Sequence, residues 1–173
     1  MTGRSVLFLH GAAFSRQTWA ELGSLEALAR AGHRAVAIDL PGYGDSAPSS
    51  ADPVEFLGSL LTALSMARPM LVSPSMSGRF SLPFVAAHPE RLSAFVPIAP
   101  AGVDSFKEQL SGTRIPALVL WGSEDTIFPA AGAEQLARLL PDARVVLFEG
   151  ASHPCYLDDP GRFHSLLLEL LGP

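Results

Sequence analysis

The chain has 173 residues, 48% of them hydrophobic, a formal net charge of −5 and a sequence pI near 5.4. That length and apolar fraction fit one globular domain, residues 1–173, with a sizeable core. The acidic balance and the lack of any basic run argue against a nucleic-acid partner.

In chain order, Ser5–Leu9 reads as a strand ending in His10-Gly11, and helical periodicity covers Leu22–Ala31. Ala35–Ile38 is a second strand, followed by the loop-forming stretch "GDSAPSSADP" and a helix over Val54–Met66. Met70–Val72 is a third strand, and it runs into "SPSMSG" and a helix over Ser77–Ala87. Ala94–Ile98, Ala117–Trp121 and Val145–Phe148 complete six strands, with helices at Ala131–Leu140 and Gly161–Leu171. Asp159-Pro160 supplies a cap and a first-turn proline for the last helix. No apolar run is long enough to cross a bilayer, and the N-terminus lacks the pattern of a secretory signal. The reading is a cytoplasmic protein without a membrane partner.

Strand alternating with helix defines an α/β fold: a doubly wound, mostly parallel six-stranded sheet with helices on both faces. Ligands in such sheets bind beyond the carboxyl ends of the strands. The loops there are "HGAAF", "DLPGYGDS", "SPSMSG", "APAGVD", "GSEDTIF" and "GASHPCY", and they hold nearly every chemically interesting residue. The single cysteine, Cys155, leaves no room for a CxxC motif, and the site is expected to use neither metal nor cofactor. As a free cysteine away from any strand-to-helix turn, Cys155 reads as a small buried hydrophobe.

A nucleophile on a sharp strand-to-helix turn needs small residues two before and two after it, because the backbones crowd there. Of Ser73, Ser75 and Ser77, only Ser75 has a small residue at both places. The alternative for Ser75 or Ser77 is a helix cap. A serine hydroxyl needs a base, itself oriented by an acid. His33 and His88 fall at the wrong end of the sheet, His164 lies on the last helix, and His10 reads as a structural residue bonding nearby backbone. His153, in the loop after the last strand, remains as the base, with a solvated loop histidine as its alternative. Asp125 is the candidate acid; Asp104 is the runner-up and Glu124 a weaker one. A turn-forming or capping role competes for Asp125. The chain order Ser…Asp…His, which recurs in one large class of hydrolases, favours Asp125 with His153. Asp39, beside a Pro-Gly turn, reads as a loop stabiliser.

The stretches "VLFLHGAAF", "AIDLPGYGDS", "LVSPSMSG", "LVLWGSED" and "FEGASHPCYLDDP" occur in the order of the α/β-hydrolase superfamily. The chain most resembles the small subgroup of α/β-hydrolase domain-containing protein 14, through Ser-Pro-Ser-x-Ser-Gly and His-Pro-Cys-Tyr-Leu-Asp. The resemblance covers almost the whole chain. It implies Ser75 as nucleophile, Asp125 as acid and His153 as base. It also implies hydrolysis or transfer of short acyl groups from a small-molecule ester or an acetylated amine. The oxyanion donors are then the backbone N–H groups of Met76 and Ala12, with Ala13 contesting the second.

The segment 99–115 is short where many relatives insert a helical lid, so the acyl site is expected to be open and shallow. Its walls are assigned to Phe14, Phe106, Phe128 and Tyr156, each of which also fits an ordinary core. The two leading strands common in the superfamily are missing, which leaves the apolar Ala35–Ile38 strand at the sheet edge. With few residues before Ser5 to cover it, a homodimer at or near this edge is expected. Two other functions compete with hydrolysis: acyl transfer to a thiol or alcohol, and a low-turnover receptor or interaction protein on the same fold.

Overall fold

The computed structural model describes residues 3–172, and Met1 and Thr2 of the segment before Ser5 lie outside them. Six strands form one all-parallel sheet in the order β2-β1-β3-β4-β5-β6. They are β1 Ser5–Phe8, β2 Arg34–Ala37, β3 Met70–Pro74, β4 Ala94–Ile98, β5 Ala117–Gly122 and β6 Ala143–Phe148. The helices are α1 Gln17–Glu21, α2 Ser24–Arg30, α3 Pro53–Ala63, α4 Gly78–Ala87, α5 Val103–Leu110, α6 Ala131–Leu139, α7 Cys155–Asp158 and α8 Pro160–Leu171. All six expected strands are present; α1, α5 and α7 are additions. Among the described residues no helix is long and apolar enough to cross a membrane.

Successive side chains on a strand point to opposite faces, and both faces here are covered. From β1, β3 and β5, the residues Leu7, Leu71, Val119 and Trp121 pack with Leu57 and Leu61 of α3 and Phe84 of α4. Their neighbours Phe8, Val72 and Leu120 pack on the other face with Trp19, Leu28 and Phe163 of α1, α2 and α8. Continuous apolar strands are what a doubly covered sheet requires. Two helices start on the same device: Asp52 accepts from the N–H of Val54 (2.8 Å) and Asp159 from that of Arg162 (2.9 Å), each followed by proline.

Strand β4 is central yet contains Pro97. Phe95 and Ala99 donate their N–H to the carbonyls of Pro116 (2.9 Å) and Leu120 (3.1 Å), and Pro97 between them has no N–H to give. The edge strand β2 pairs with β1 alone, Ser5 opposite Arg34 through Phe8 opposite Ala37. Its residues Val36 and Ile38 are half-buried against one core and Ala35 and Ala37 against the other.

At the other end of the sheet, the loops after β5 and β6 are tied together. Ser123 N–H donates to Phe148 O (3.0 Å), Glu124 N–H to Ala151 O (3.0 Å) and Gly150 N–H to Ser123 Oγ (2.8 Å). The approach is close enough to demand a glycine. A Cβ at Gly122 would lie 2.1 Å from Ser152 O and 2.4 Å from Ala151 O. Gly122→Ala therefore has to push a backbone segment aside, and it should destabilise the protein by about 1–3 kcal/mol. An unchanged urea-denaturation midpoint would show that the segment yields freely.

Candidate active site

Ser75 follows β3 and opens a 3-10 turn, Ser75–Ser77, that leads into α4. Its backbone has φ 49°, in the left-handed region that costs a residue with a Cβ about 1–3 kcal/mol. The turn lifts the side chain off the end of the strand, leaving it half-buried. Ala99, the first residue after β4, is also left-handed, at φ 41°. That bend brings Ala101 N–H to Ser75 O at 2.8 Å. Gly78 makes room for the contact, since a Cβ there would lie 2.5 Å from Ala101 O and 2.8 Å from Pro100 Cβ.

Ser73 and Ser77 are fully buried beneath the elbow. Ser73 Oγ lies 2.9 Å from Ser77 Oγ and 2.6 Å from Ser81 Oγ, and Ser77 donates to Pro74 O at 2.7 Å. Each hydroxyl has one proton, so the last bond fixes the direction of the others: Ser81 donates to Ser73, Ser73 to Ser77, and Ser77 to the carbonyl. The two flanking serines are thus more than small residues. They satisfy one another and pin the strand end to the first turns of α4.

Asp125 sits in the turn after β5 with a fully buried side chain. Its Oδ1 accepts from the N–H groups of Ile127 (2.8 Å) and Phe128 (2.9 Å). Its Oδ2 lies 2.7 Å from His153 Nδ1. The turn-forming role that competed for this residue and the acid role occupy different oxygens of one carboxylate. Trp121 steadies the turn by donating its indole N–H to Phe128 O (2.9 Å). Gly132 leaves space for that ring, because a Cβ would lie 2.7 Å from it.

His153 is positioned by its loop, where Ser152 donates its N–H (2.8 Å) and O–H (2.9 Å) to Asp158 Oδ2. Because Asp125 accepts, His153 Nδ1 carries the proton, and Nε2 faces Ser75 Oγ at 2.8 Å as an acceptor. Ser75, His153 and Asp125, from three different loops, form one hydrogen-bonded line. The Phe128 ring meets the His153 ring edge-on, 5.3 Å between centroids.

The loop after β1 closes the other side. A Cβ at Gly11 would lie 3.3 Å from Phe14 Cδ2 and at ordinary contact distance, 3.6 Å, from Ser75 Cβ, so the loop lies against the elbow. Among the described residues the N–H groups of Ala12, Ala13 and Met76 have no acceptor. His10 is buried and structural: Nε2 accepts from Leu40 N–H (2.9 Å), so Nδ1 carries the proton and donates to Gly11 O (2.8 Å). Asp39 anchors the same loop from the second strand. It accepts from the N–H of Arg16 (2.8 Å) and Asp45 (3.2 Å) and pairs with the Arg16 guanidinium, which also reaches Asp45 (2.6 Å).

The other sequence candidates lie apart. Asp104 is exposed in the first turn of α5, where it accepts from Gln135 Nε2 at 2.7 Å, and Glu124 is exposed. His33 and His88 sit before β2 and after α4, and His164 bonds Ser24 Oγ (2.9 Å) on the α8 face. Cys155 is buried, and burial first, then the nearby charges of Asp158 and Asp125, push its thiol up to about 12. A neutral thiol at that position is not a nucleophile. Among the described residues no three His, Cys, Asp or Glu side chains come together as a metal site.

The expected walls need one correction. Phe14, Phe106 and Phe128 are half-buried on the site's side, but Tyr156 is 2% exposed and stacks on Trp19 (4.8 Å between centroids) in the core under α1 and α8. The short helix α7 turns its ring inward. Segment 99–115 contains α5, and a half-open groove of 790 Å³, lined by none of the triad residues, lies between α4, α5 and α6. Sequence reasoning missed this helix, Gly78 and Ser81. A glycine directly after the serine triplet was the available signal for Gly78; α5 fully buries Leu110 alone, so its apolar pattern is too sparse to declare a helix.

An α/β fold with this elbow at the end of its third strand matches the family described as "alpha/beta hydrolase fold" over residues 4–109 and 101–160. The chain is 43% identical over 175 residues to the human protein named "Putative protein-lysine deacylase ABHD14B", across 96% of this chain and 82% of that one. It is 42% identical over 173 residues to "Protein ABHD14A" of Danio rerio, across 96% of this chain and 64% of that one. A protein described as a "predicted CIB-like hydrolase" from Thermoplasma acidophilum superposes with a TM-score of 0.92 at 27% identity, covering 98% and 86% of the two chains. The carboxylesterase CesB of Bacillus subtilis shares the fold, with a TM-score of 0.85 at 19% identity over 98% and 84%. The chain belongs to the α/β-hydrolase family and, within it, to the ABHD14 subgroup.

Two expectations follow from the local packing. Ser73→Ala removes the donor to Ser77 and the acceptor of Ser81 together, and should cost about 1–3 kcal/mol in chemical denaturation. Burial alone would raise the Asp39 pKa, but the N–H groups of Arg16 and Asp45 and the Arg16 charge outweigh it and hold the carboxyl below its ordinary value. Its stabilising contribution is then complete above the unfolded value of about 3.9 and is lost as pH falls through the lower folded value. Asp39→Asn should be less stable than wild type at neutral pH, and the gap should shrink in melts taken below about pH 4.

Proposed function

We propose that this protein is a serine hydrolase that removes short acyl groups from esters, and from acylated amines, with Ser75, His153 and Asp125 as its catalytic residues. The observation that carries the reading is the hydrogen-bonded line from Ser75 Oγ through both ring nitrogens of His153 to Asp125 Oδ2, at 2.8 and 2.7 Å. In this reading Ser75 Oγ attacks the acyl carbonyl carbon while His153 Nε2 takes its proton. Asp125 holds the ring in the tautomer that leaves Nε2 free to accept, and its charge stabilises the imidazolium. The negative oxygen of the tetrahedral intermediate takes hydrogen bonds from the N–H groups of Met76 and Ala12. When the intermediate collapses, the carbonyl re-forms, and the bond to the leaving alcohol or amine breaks. His153 returns its proton to that group. A water then attacks the acyl-serine by the same route, releasing the acid and restoring the Ser75 hydroxyl.

The acylated-amine arm is supported by the name of the human relative, and the ester arm by the chemistry of the triad itself, which acts on either. A small acyl group suits the position of Ser75 between the 11–14 loop and the His153 ring.

A fluorophosphonate probe should label Ser75 and no other residue, and Ser75→Ala should lose both labelling and turnover of p-nitrophenyl acetate and butyrate. Asp125→Asn should lower kcat by about 10⁴ with the fold intact, whereas Asp104→Asn should leave kcat on these esters within about threefold. Labelling at another residue, or equal losses for the two aspartates, would overturn the assignment. Hydrolysis of an Nε-acetyl-lysine peptide in the same assay, absent in Ser75→Ala, tests the amine arm.

A further inference from the structure

We infer that the groove between α4, α5 and α6 binds a carboxylate of the substrate, with Arg79 as the group that recognises it. The inference rests on the hydrolase reading of the adjoining triad and narrows its substrate class. That class is acyl compounds carrying a carboxylate several bonds from the scissile carbonyl.

The groove, 790 Å³ in volume, is of a size to hold a small molecule, and an acetyl or butyryl group would leave most of it empty. No residue of the triad lines it, but two of its wall residues touch the triad. Phe128, in its wall, packs on the His153 ring, and Ala101, also in its wall, donates to Ser75 O. Val103, Phe106, Trp121 and Phe128 make its interior largely apolar, and the Trp121 N–H is already used by Phe128 O. Such a lining gives affinity for a short carbon chain and leaves specificity to the few charged groups at its margin.

Arg79 is the one cation in that lining. It stands four residues after Ser75, in the first turn of α4, and is exposed. Arg16, Arg30, Arg114 and Arg144 each pair with a carboxylate, whereas Arg79, like Arg4, Arg34 and Arg138, makes no ion pair or side-chain hydrogen bond among the described residues; of these four only Arg79 lines the groove. A planar guanidinium with its donors unspent, set at the margin of an apolar groove, matches a carboxylate through two parallel hydrogen bonds. Asp104 also lines the groove, with one oxygen taken by Gln135, so an anion is favoured at the α4 wall and repelled near the start of α5. Because Arg79 is exposed, solvent and salt moderate the effect, and a discrimination of at most about fivefold is the appropriate scale.

The carboxylate can belong to the acyl half or to the alcohol half of the ester, and two substrate pairs separate these sources. The first is p-nitrophenyl hydrogen adipate against p-nitrophenyl hexanoate; the second is 4-butyryloxybenzoate against phenyl butyrate. Relative to Arg79→Gln, wild type should favour the acid over its neutral partner by about fivefold in kcat/KM in one pair, mostly through KM. Arg79→Lys should restore part of the ratio, Asp104→Asn should increase it, and added salt should reduce it. A ratio in both pairs that Arg79→Gln leaves unchanged would overturn the inference. Should no ester turn over at all, the hydrolase reading fails by itself, and the groove is judged by binding. Monomethyl adipate or 4-butyramidobenzoate should bind the Ser75→Ala protein in calorimetry about fivefold more tightly than its Arg79→Gln double variant. Failure of both ligands to show that difference would dispose of the groove assignment.

Discussion

A serine held with left-handed backbone at the end of a buried strand is the constraint on which the rest of this structure depends. At φ 49° the Ser75 backbone is unfavourable by itself, and it persists because its surroundings leave no easier path. Its carbonyl is held by Ala101 N–H, which reaches it through a second left-handed residue, Ala99, at the end of the neighbouring strand. Gly78 lets α4 close against the 100–101 backbone, and the hydroxyls of Ser73, Ser77 and Ser81 run in one direction to Pro74 O. In many sharp turns of this kind glycines relieve the crowding. Here the flanking positions are serines, and the hydroxyls added to the crowded space are hydrogen-bonded to one another.

The partners of Ser75 are fixed by a different device, the close approach of the loops after β5 and β6. The parallel register continues to Gly122 opposite Phe148, and three further hydrogen bonds join the two loops beyond the strand ends. Asp125 then spends one oxygen on its own turn and turns the other to His153. His153 is 17% exposed at the side chain and Asp125 fully buried, so the carboxylate is shielded from water while the ring meets both the acid and the open side. Strain at the serine and rigidity at the acid are complementary, because a hydrogen-bonded line over three loops is useful only if none of them drifts.

The groove under α5 adds a second level of organisation. The eight-residue helix stands where a longer lid would be inserted, and it walls a space against α4 and α6 instead of covering the triad. A half-buried serine thus lies beside a largely apolar groove with Arg79 and Asp104 at its margin. In the proposed reading, chemistry and selection of the substrate fall to neighbouring parts of the same surface.

Much of this was legible in the sequence. Six apolar runs alternating with helical periodicity required a doubly covered parallel sheet, because each strand lacks a polar face. The placement of chemically active residues after strands pointed to the carboxyl end of that sheet. The S-x-S-x-S spacing singled out Ser75, and chain order favoured Asp125 and His153, which the structure brings within hydrogen-bond distance. What the sequence left open depends on the approach of segments far apart in the chain. Tyr156 reads as an aromatic beside the histidine, yet one turn of helix sends it into the core with Trp19. Gly78 and Gly122 are ordinary glycines until the 100–101 and 151–152 backbones arrive beside them. Arg79 becomes a groove residue only when α5 and α6 pack alongside α4. Periodicity and local turn chemistry are properties of neighbours in sequence, so they determined the six strands, five of the helices, their order and the elbow. Contact distances, cavities and unspent charges arise from the packing of those elements, and the tertiary structure alone decided them.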